Sequence, residues 1–361
     1  MLTLHDALAL RDLTDPEAGP HAAQLLVDRA RDALTAAWQN TATTHRGQRI
    51  VTLADNYDAL GYPPDGPARA ARYTRYVDPN RVLRTQMSAV IPGALRRLDA
   101  PDDVLIVSPG ITYRRDVVDR LHVGEPHQLD LWRITRRPMT DSDMRQMIDT
   151  VLRAWLPGRP YRTVPAEHPY TLNGRQIEVR NNDGTWVELG ECGLAHPGVL
   201  ARAGLERHHG LAMGLGVDRA VMLAKGIDDI RLLRSPDPRV AAQLLDLDPY
   251  RPVSSQPAAC RDLSIAAAPG LDDELLGDRV REVLGADADW VEQVAVRSRT
   301  PAAELPASAR ERIGIADGQE NLLVRVLLRH PTRSLPKAEA NRLRDRVYAA
   351  LHEGAQHQWA A

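Results

Sequence analysis

The sequence predicts an α+β chain of two folded units joined by a linker, and three observations carry that prediction. Residues 104–112, an apolar run, and 129–135, which alternate apolar with polar, are strand-like and flank the polar stretch YRRDVVDRLHVGEPHQLD at 113–130. RQIEVRNNDGTWVELGECG sets two alternating runs around Asn182-Asp183-Gly184, the pattern of a hairpin in an antiparallel sheet. DLDPYRPVSSQPA, residues 246–258, is rich in Pro and Ser and lacks periodicity, and the order of elements changes after it.

Residues 1–47 read as a mainly helical N-terminal extension, because AAQLLVDRARDALTAAW spaces its apolar residues as a helix does. Residues 48–245 form the first domain. Its NYDALGYPPDGPAR stretch, 56–69, is turn-rich through Pro63, Pro64 and Pro67. NRVLRTQMSAVIPGALRRL reads as a strand or loop leading into a helix. DSDMRQMIDTVLRAWL opens with an Asp-Ser-Asp helix start and continues as an amphipathic helix. GLGVDRAVMLAKGIDDIRLL reads as a strand end entering a helix, and the sheet with its helices ends near residue 240. Beyond the linker, residues 259–361 read as a strand (CRDLSIAA), a helix (LDDELLGDRVREVLG), two strands (WVEQVAVRSRT and NLLVRVLLRH) and a helix ending at Gly354 (KAEANRLRDRVYAALHEG). That β-α-β-β-α order is close to a ferredoxin-like split βαβ unit of about 100 residues.

At 361 residues and 43% apolar composition the chain has room for two or three domains with full cores. A net charge of -2 carries no global polycation signal for nucleic acid, DNA included, and leaves room for a local RNA-binding patch. Two cysteines, Cys192 and Cys260, are too few for a disulfide framework or a cysteine zinc site. No run of 18 apolar residues exists, so no membrane span is expected. The start carries Asp6, Asp12, Asp15 and Glu17, unlike a transit or signal peptide, and a cytoplasmic location is expected. Lysine occurs only at Lys225 and Lys337, and the chain contains no phenylalanine, although Tyr and Trp are present.

The polar stretch 113–130 sits between two buried strands, and loops held by a rigid sheet are where binding groups sit. In GLGVDRAVMLAKGIDDIR, 214–231, two glycines let the backbone approach a ligand closely. Arg219 follows at the start of a helix, where partial positive charge favours phosphate. On GLG and Arg219 alone, a packed glycine turn with a surface arginine is the commoner reading.

The whole string resembles motif 3 of the class II aminoacyl-tRNA synthetases, in the version of the phenylalanyl-tRNA synthetase family. Tyr113, Arg114, Asp116, Asp119, His122, His127, Gln128 and Asp130 fall on the positions of its motif 2. WVELGECGLAHPGVL (186–200), LRTQMSAV (83–90) and NYDALGYPPDGPAR resemble three further segments of that family in the same order, and the last hundred residues resemble its ferredoxin-like anticodon-binding domain. A catalytic domain followed directly by this domain is similar to the single-chain organellar enzyme, which implies a monomer; class II pairing through motif 1 leaves a homodimer open.

The resemblance implies amino-acid activation by ATP with Mg²⁺ and transfer to tRNA. It implies that Arg114 holds the carboxylate and α-phosphate, that Arg219 holds the γ-phosphate, and that Glu188 is a magnesium ligand. Asp116, His122 and Gly216 join them at ATP. Gln128 and Asp130 receive the α-ammonium group with Ser88 nearby, and Gln86, His168, Tyr170, Glu191 and Gly193 complete the amino-acid pocket. Arg325, Arg333, Arg342 and Arg346 are the expected tRNA-binding patch of the C-terminal domain.

The chain departs from the family in that pocket. EHPYTLNGRQIEV, 167–179, stands where the family carries FPF, so two phenylalanines become His168 and Tyr170. Gln86 replaces a histidine, and Glu191 displaces an expected apolar residue. Buried polar groups reject a ligand that leaves them unpaired, which favours a polar or modified side chain. The absence of phenylalanine pulls the other way, towards a phenylalanine-activating protein made when phenylalanine is scarce; drift in composition is a third explanation. The functional alternatives are therefore a tRNA-charging synthetase, a paralogue that activates a more polar amino acid for another acceptor, and a non-catalytic sensor of amino acid or tRNA.

Overall fold

The computed structural model describes residues 3–71, 73–114, 120–252, 258–330 and 333–357. Its centre is a seven-stranded sheet in the order β1-β5-β6-β10-β9-β8-β7. The strands are β1 (Thr41–Thr44), β5 (Asp103–Ile111), β6 (His127–Thr135), β7 (Tyr161–Pro165), β8 (Thr171–Arg180), β9 (Trp186–Ala195) and β10 (His209–Gly216). β1 runs parallel to β5, and every other neighbouring pair is antiparallel. β5 and β6 pair from Asp103↔Thr135 to Ile111↔His127, so the two strand-like runs flanking the polar stretch lie side by side. A second, small sheet of β2 (Ile50–Thr52), β3 (Tyr76–Asp78) and β4 (Arg81–Leu83) carries the turn-rich segment.

The central strands are buried on both faces, so β5 reads as a nearly continuous apolar run, whereas β6 buries His127, Asp130, Arg133 and Thr135 among its apolar residues. One face packs under α2 (Ala22–Trp38), α5 (Asp141–Trp155) and α7 (Val217–Lys225), in a cluster that includes Leu26, Leu34, Leu131, Trp155, Met213 and Leu215. The other face is covered at one end by α4 (Ile91–Leu95) and α6 (Pro197–Ala201), around Ile106, Trp132 and Ile134. The remaining part of that face is open and carries the candidate site.

The N-terminal segment, expected as a mainly helical extension, packs into this core through Leu13 and α2. α1 (Leu4–Ala9) is short and capped by Thr3. α2 buries Ala23, Leu26, Ala30 and Leu34. α5 starts in a capping box of Thr140 and Asp143 and turns Met144, Met147, Ile148 and Val151 inward. In its last turn the Trp155 indole donates to the Leu26 carbonyl at 2.7 Å. TATT then extends the sheet as β1, a strand without apolar alternation that is defined by pairing with β5.

The linker boundary is tied down by a buried lysine. Lys225 closes α7 and donates to the Asp246 carboxylate at 2.8 Å and to the Asp248 carbonyl at 2.6 Å. The first unit also contains the short helices α3 (Leu53–Asn56), beside the small sheet, and α8 (Pro238–Ala241). Residues 253–257 of the expected linker lie outside the described residues.

The C-terminal unit comprises β11 (Ala259–Ala267), α9 (Asp273–Leu284), β12 (Val291–Pro301), α10 (Ala307–Ile313), β13 (Glu320–Leu328) and α11 (Lys337–Leu351). Its three strands form an antiparallel sheet in the order β11-β13-β12, with α9 and α11 sharing one core with them. The β-α-β-β-α order is the expected one, with α10 inserted between the last two strands. α11 stops at Leu351, three residues before Gly354. His352 leaves the helix to accept from the Ala266 amide at 3.1 Å, with its ring stacked on Tyr348. The two units meet at a buried ion cluster. Glu125 accepts from Arg281 of α9 at 3.0 Å and lies 2.8 Å from Arg75.

Trp155 joins α5 to α2 by both packing and a buried hydrogen bond. Trp155→Ala is expected to cost about 3–5 kcal/mol, measured as a lowered midpoint in chemical denaturation.

Candidate active site

The site begins with strand register. Asp130 on β6 pairs with Gly214 on β10, and Gly214 pairs with Glu191 on β9. Residues directly opposite across antiparallel strands point to the same face. Two acids therefore flank a position without a side chain, and a groove opens between them. A Cβ at Gly214 would come within 3.4 Å of the Asp130 carboxylate and narrow it. The groove is part of a cavity of about 350 Å³ that also reaches Arg114, His122, Glu188, Gly216 and Arg219.

At the first end, Asp130 is 2% exposed. Its Oδ2 accepts from the Ser88 hydroxyl at 2.6 Å and from the Trp132 indole at 3.4 Å, and no described cation pairs with it. Burial pushes its carboxyl up to about 6, only partly opposed by the Ser88 bond. Gln128 accepts from the Met87 amide at 3.0 Å, which fixes the segment that carries Ser88. Tyr62 donates to Gln86 at 3.1 Å.

Aromatic rings form the wall. Tyr170 stacks on Trp132 with centroids 6.1 Å apart, and Tyr62 lies 6.3 Å from it. Burial pushes the Tyr170 hydroxyl well above its ordinary value, so it stays protonated. His168 lies 5.5 Å from the Tyr170 ring, and its Nδ1 meets Glu191 Oε2 at 2.5 Å. This pair closes the end of the groove opposite Asp130.

Towards solvent the cavity becomes cationic. Arg219, in the first turn of α7, donates to the Glu188 carbonyl at 2.9 Å. Arg114 donates through Nε to the Thr85 carbonyl at 3.0 Å, and its backbone amide is held by Gly124 at 2.7 Å. Glu188 lies on β9, three residues before Glu191. The arrangement can take a zwitterion at Asp130 and a polyanion at the two arginines.

His127, also on the motif 2 pattern, has a structural task. Its Nε2 accepts from the Leu13 amide at 2.9 Å, which leaves the proton on Nδ1, 2.8 Å from Asp218. It thereby ties β6 to α7 and to the N-terminal segment.

Asp116 and Asp119 lie outside the described residues. Gly193 was expected in the amino-acid pocket, but it does not line the cavity. It faces Thr171, whose Cβ would lie 2.7 Å from a Cβ at that position. Gly190 and Gly214 take its place. Tyr62 and Trp132 were not anticipated. Tyr62 lies among turn residues and Trp132 inside an apolar strand, where local pattern marks neither as a site residue.

Each of the four C-terminal arginines stays partly exposed and has an acid within 4.0 Å. Arg325 makes a paired contact with Asp262 at 2.7 Å through two nitrogens. Arg333 meets Glu339 at 2.9 Å, Arg342 shares Glu339 at 3.9 Å, and Arg346 meets Asp287 at 2.6 Å. Arg325 projects from the sheet face opposite the core residues Val324 and Val326, whereas Arg342 and Arg346 lie on α11.

The fold is a largely antiparallel sheet flanked by helices, with one cavity lined by acids at one end and by arginines at the other. A family model described as tRNA synthetases class II core domain (F) matches residues 13–244, and the chain belongs to that family. The match takes in most of the N-terminal segment, α2 included. Among its relatives is the phenylalanine–tRNA ligase alpha subunit of Nostoc punctiforme, 34% identical over 230 residues, covering 63% of this chain and 68% of the relative. That of Prochlorococcus marinus strain MIT 9313 is 38% identical over 200 residues, 55% of this chain and 58% of the relative. The Psychrobacter arcticus protein is 31% identical over 240 residues, 64% of this chain and 66% of the relative.

Asp130 makes stability depend on pH. The folded carboxyl keeps its proton up to about 6, while the unfolded one releases it near 3.8. The folded chain thus binds the extra proton in this window, and stability falls as pH rises through it. The native chain is expected to lose up to about 3 kcal/mol relative to Asp130→Asn across that window, read from urea unfolding at a series of pH values.

Proposed function

We propose that the chain activates phenylalanine, or a related aromatic amino acid, with ATP and transfers it to tRNA. The observation that carries this reading is one cavity, in a class II synthetase core, with a buried unpaired carboxylate at one end and two arginines at the other. The α-ammonium group binds Asp130 with Gln128 and Ser88, which supplies the cation this buried carboxylate lacks. The ring lies against Tyr170 and Tyr62 over Gly214. The substrate carboxylate then points at Arg114 and the α-phosphate of ATP.

In the first step a carboxylate oxygen attacks the α-phosphorus and pyrophosphate leaves. In the second a terminal hydroxyl of tRNA attacks the carbonyl carbon and AMP leaves. Both reacting groups are anionic, so positioning and charge neutralisation provide most of the acceleration. Arg114 neutralises the carboxylate and α-phosphate, and Arg219 neutralises the γ-phosphate. His122 and Gly216 line the nucleotide end. Glu188 is an exposed carboxylate beside this end, opposite Glu178 on β8, and so small a carboxylate set suits Mg²⁺, which prefers few carboxylates plus phosphate oxygens and water. The ion, when bound, offsets charge on the phosphate oxygens.

The C-terminal unit is read as a ferredoxin-like anticodon-binding domain. Because Arg325, Arg333, Arg342 and Arg346 are all paired with acids, RNA contact there exchanges carboxylate partners for phosphates. The reading includes a cytoplasmic location and a monomer or homodimer. Among the described residues no helix is long and apolar enough to cross a membrane. The His168–Glu191 pair favours a second reading, a paralogue that activates a more polar amino acid for an acceptor other than tRNA.

Amino-acid-dependent ATP–pyrophosphate exchange tests activation, and charging of phenylalanine tRNA tests transfer. Arg114→Ala and Arg219→Ala are each expected to lower the exchange rate by about 100-fold or more, with unfolding midpoints near that of the native chain. Exchange at the native rate in both variants contradicts the assignment.

A further inference from the structure

We infer that the amino-acid cavity is built for an aromatic ring that carries a hydroxyl or amino substituent, with Glu191 and His168 as its specificity-determining residues. This rests on the proposed amino-acid activation and narrows its substrate.

The two acids of the groove are not equivalent. Asp130 is fully enclosed, holds only the hydroxyl of Ser88 and the indole of Trp132, and has no described cation beside it. Glu191 already has an imidazole partner in His168. The ammonium group of an amino acid therefore belongs at Asp130, and its side chain runs towards Glu191. The Cα atoms of Asp130 and Glu191 are two strand spacings apart, roughly 10 Å. With a glycine between them, one ring bridges that gap, and Tyr170 with Tyr62 supplies the wall against which it stacks.

The far end of the ring then decides affinity. Glu191 Oε2 is engaged with His168 Nδ1, which leaves Oε1 for a donor on the ligand. A hydroxyl or amino substituent donates to it. An unsubstituted phenyl group would instead strip water from a carboxylate and an imidazole and return nothing. A site of this kind discriminates strongly against the analogue that lacks the polar group.

The test is ATP–pyrophosphate exchange without tRNA, comparing phenylalanine, tyrosine, meta-tyrosine and 4-aminophenylalanine. It is run on the full chain and on Glu191→Ala, Glu191→Gln and His168→Phe. At least one substituted ring is expected to exceed phenylalanine in kcat/KM by about 100-fold or more. Glu191→Ala should reduce that preference to within tenfold, chiefly through KM for the substituted amino acid. Glu191→Gln, whose amide oxygen still accepts, should restore part of it. His168→Phe should shift preference towards phenylalanine and serves if the Glu191 variants fold poorly. Phenylalanine used as well as or better than every substituted ring overturns the inference and leaves activation standing. A preference untouched by all three variants also overturns it. No exchange with any of the four overturns this inference and the proposed function together.

Discussion

The site depends on a glycine in the middle of a buried sheet. β10 lies between β6 and β9, and its residue 214 sits in register with an acid on each side. A Cβ there would touch the Asp130 carboxylate at 3.4 Å, and a larger side chain would extend into the groove. The flanking Met213 and Leu215 point to the opposite face and pack under the helices, so the register cannot slip without exchanging core for cavity. The same constraint that keeps the core apolar thus keeps the groove open.

That sheet is held to its surroundings by polar ties that end beneath the site. His127 links the start of β6 to Asp218 of α7 and to the Leu13 backbone. Asp12, next in the chain, accepts from the Ile111 amide at the end of β5. Arg84 is 2% exposed and donates to the carbonyls of Ile111 and Arg46. The N-terminal segment, far away in sequence, is therefore part of the support for Arg114 and Gln128. Glu125 extends this support into the C-terminal unit through Arg281, one residue from the Gly124 carbonyl that holds the Arg114 amide.

Much of this was legible in the sequence. The periodic runs gave α2, α5, α9, the β8–β9 hairpin and the C-terminal element order, because each turns an apolar face towards a single partner layer. Arg114, Glu188, Arg219, Gln128, Asp130, His168 and Glu191 were identified by motif and do line one cavity. β1 was missed because TATT has no apolar alternation, and the length of α11 was overread because His352 is drawn out of the helix by a strand 86 residues away. Gly193 lies on the same face of β9 as Glu191, and what keeps it out of the cavity is Thr171 of β8 packed over it, a contact no motif encodes.

What the sequence determined by itself was the set of chemical groups and the elements that carry them, since these follow from local periodicity and residue type. Tertiary structure decided which groups face each other. Whether Glu191 closes the same groove as Asp130 depends on the register of β10 with both β6 and β9, and whether the C-terminal arginines are open or paired depends on which acids the packing brings beside them. Both are properties of long-range register, which no local pattern encodes.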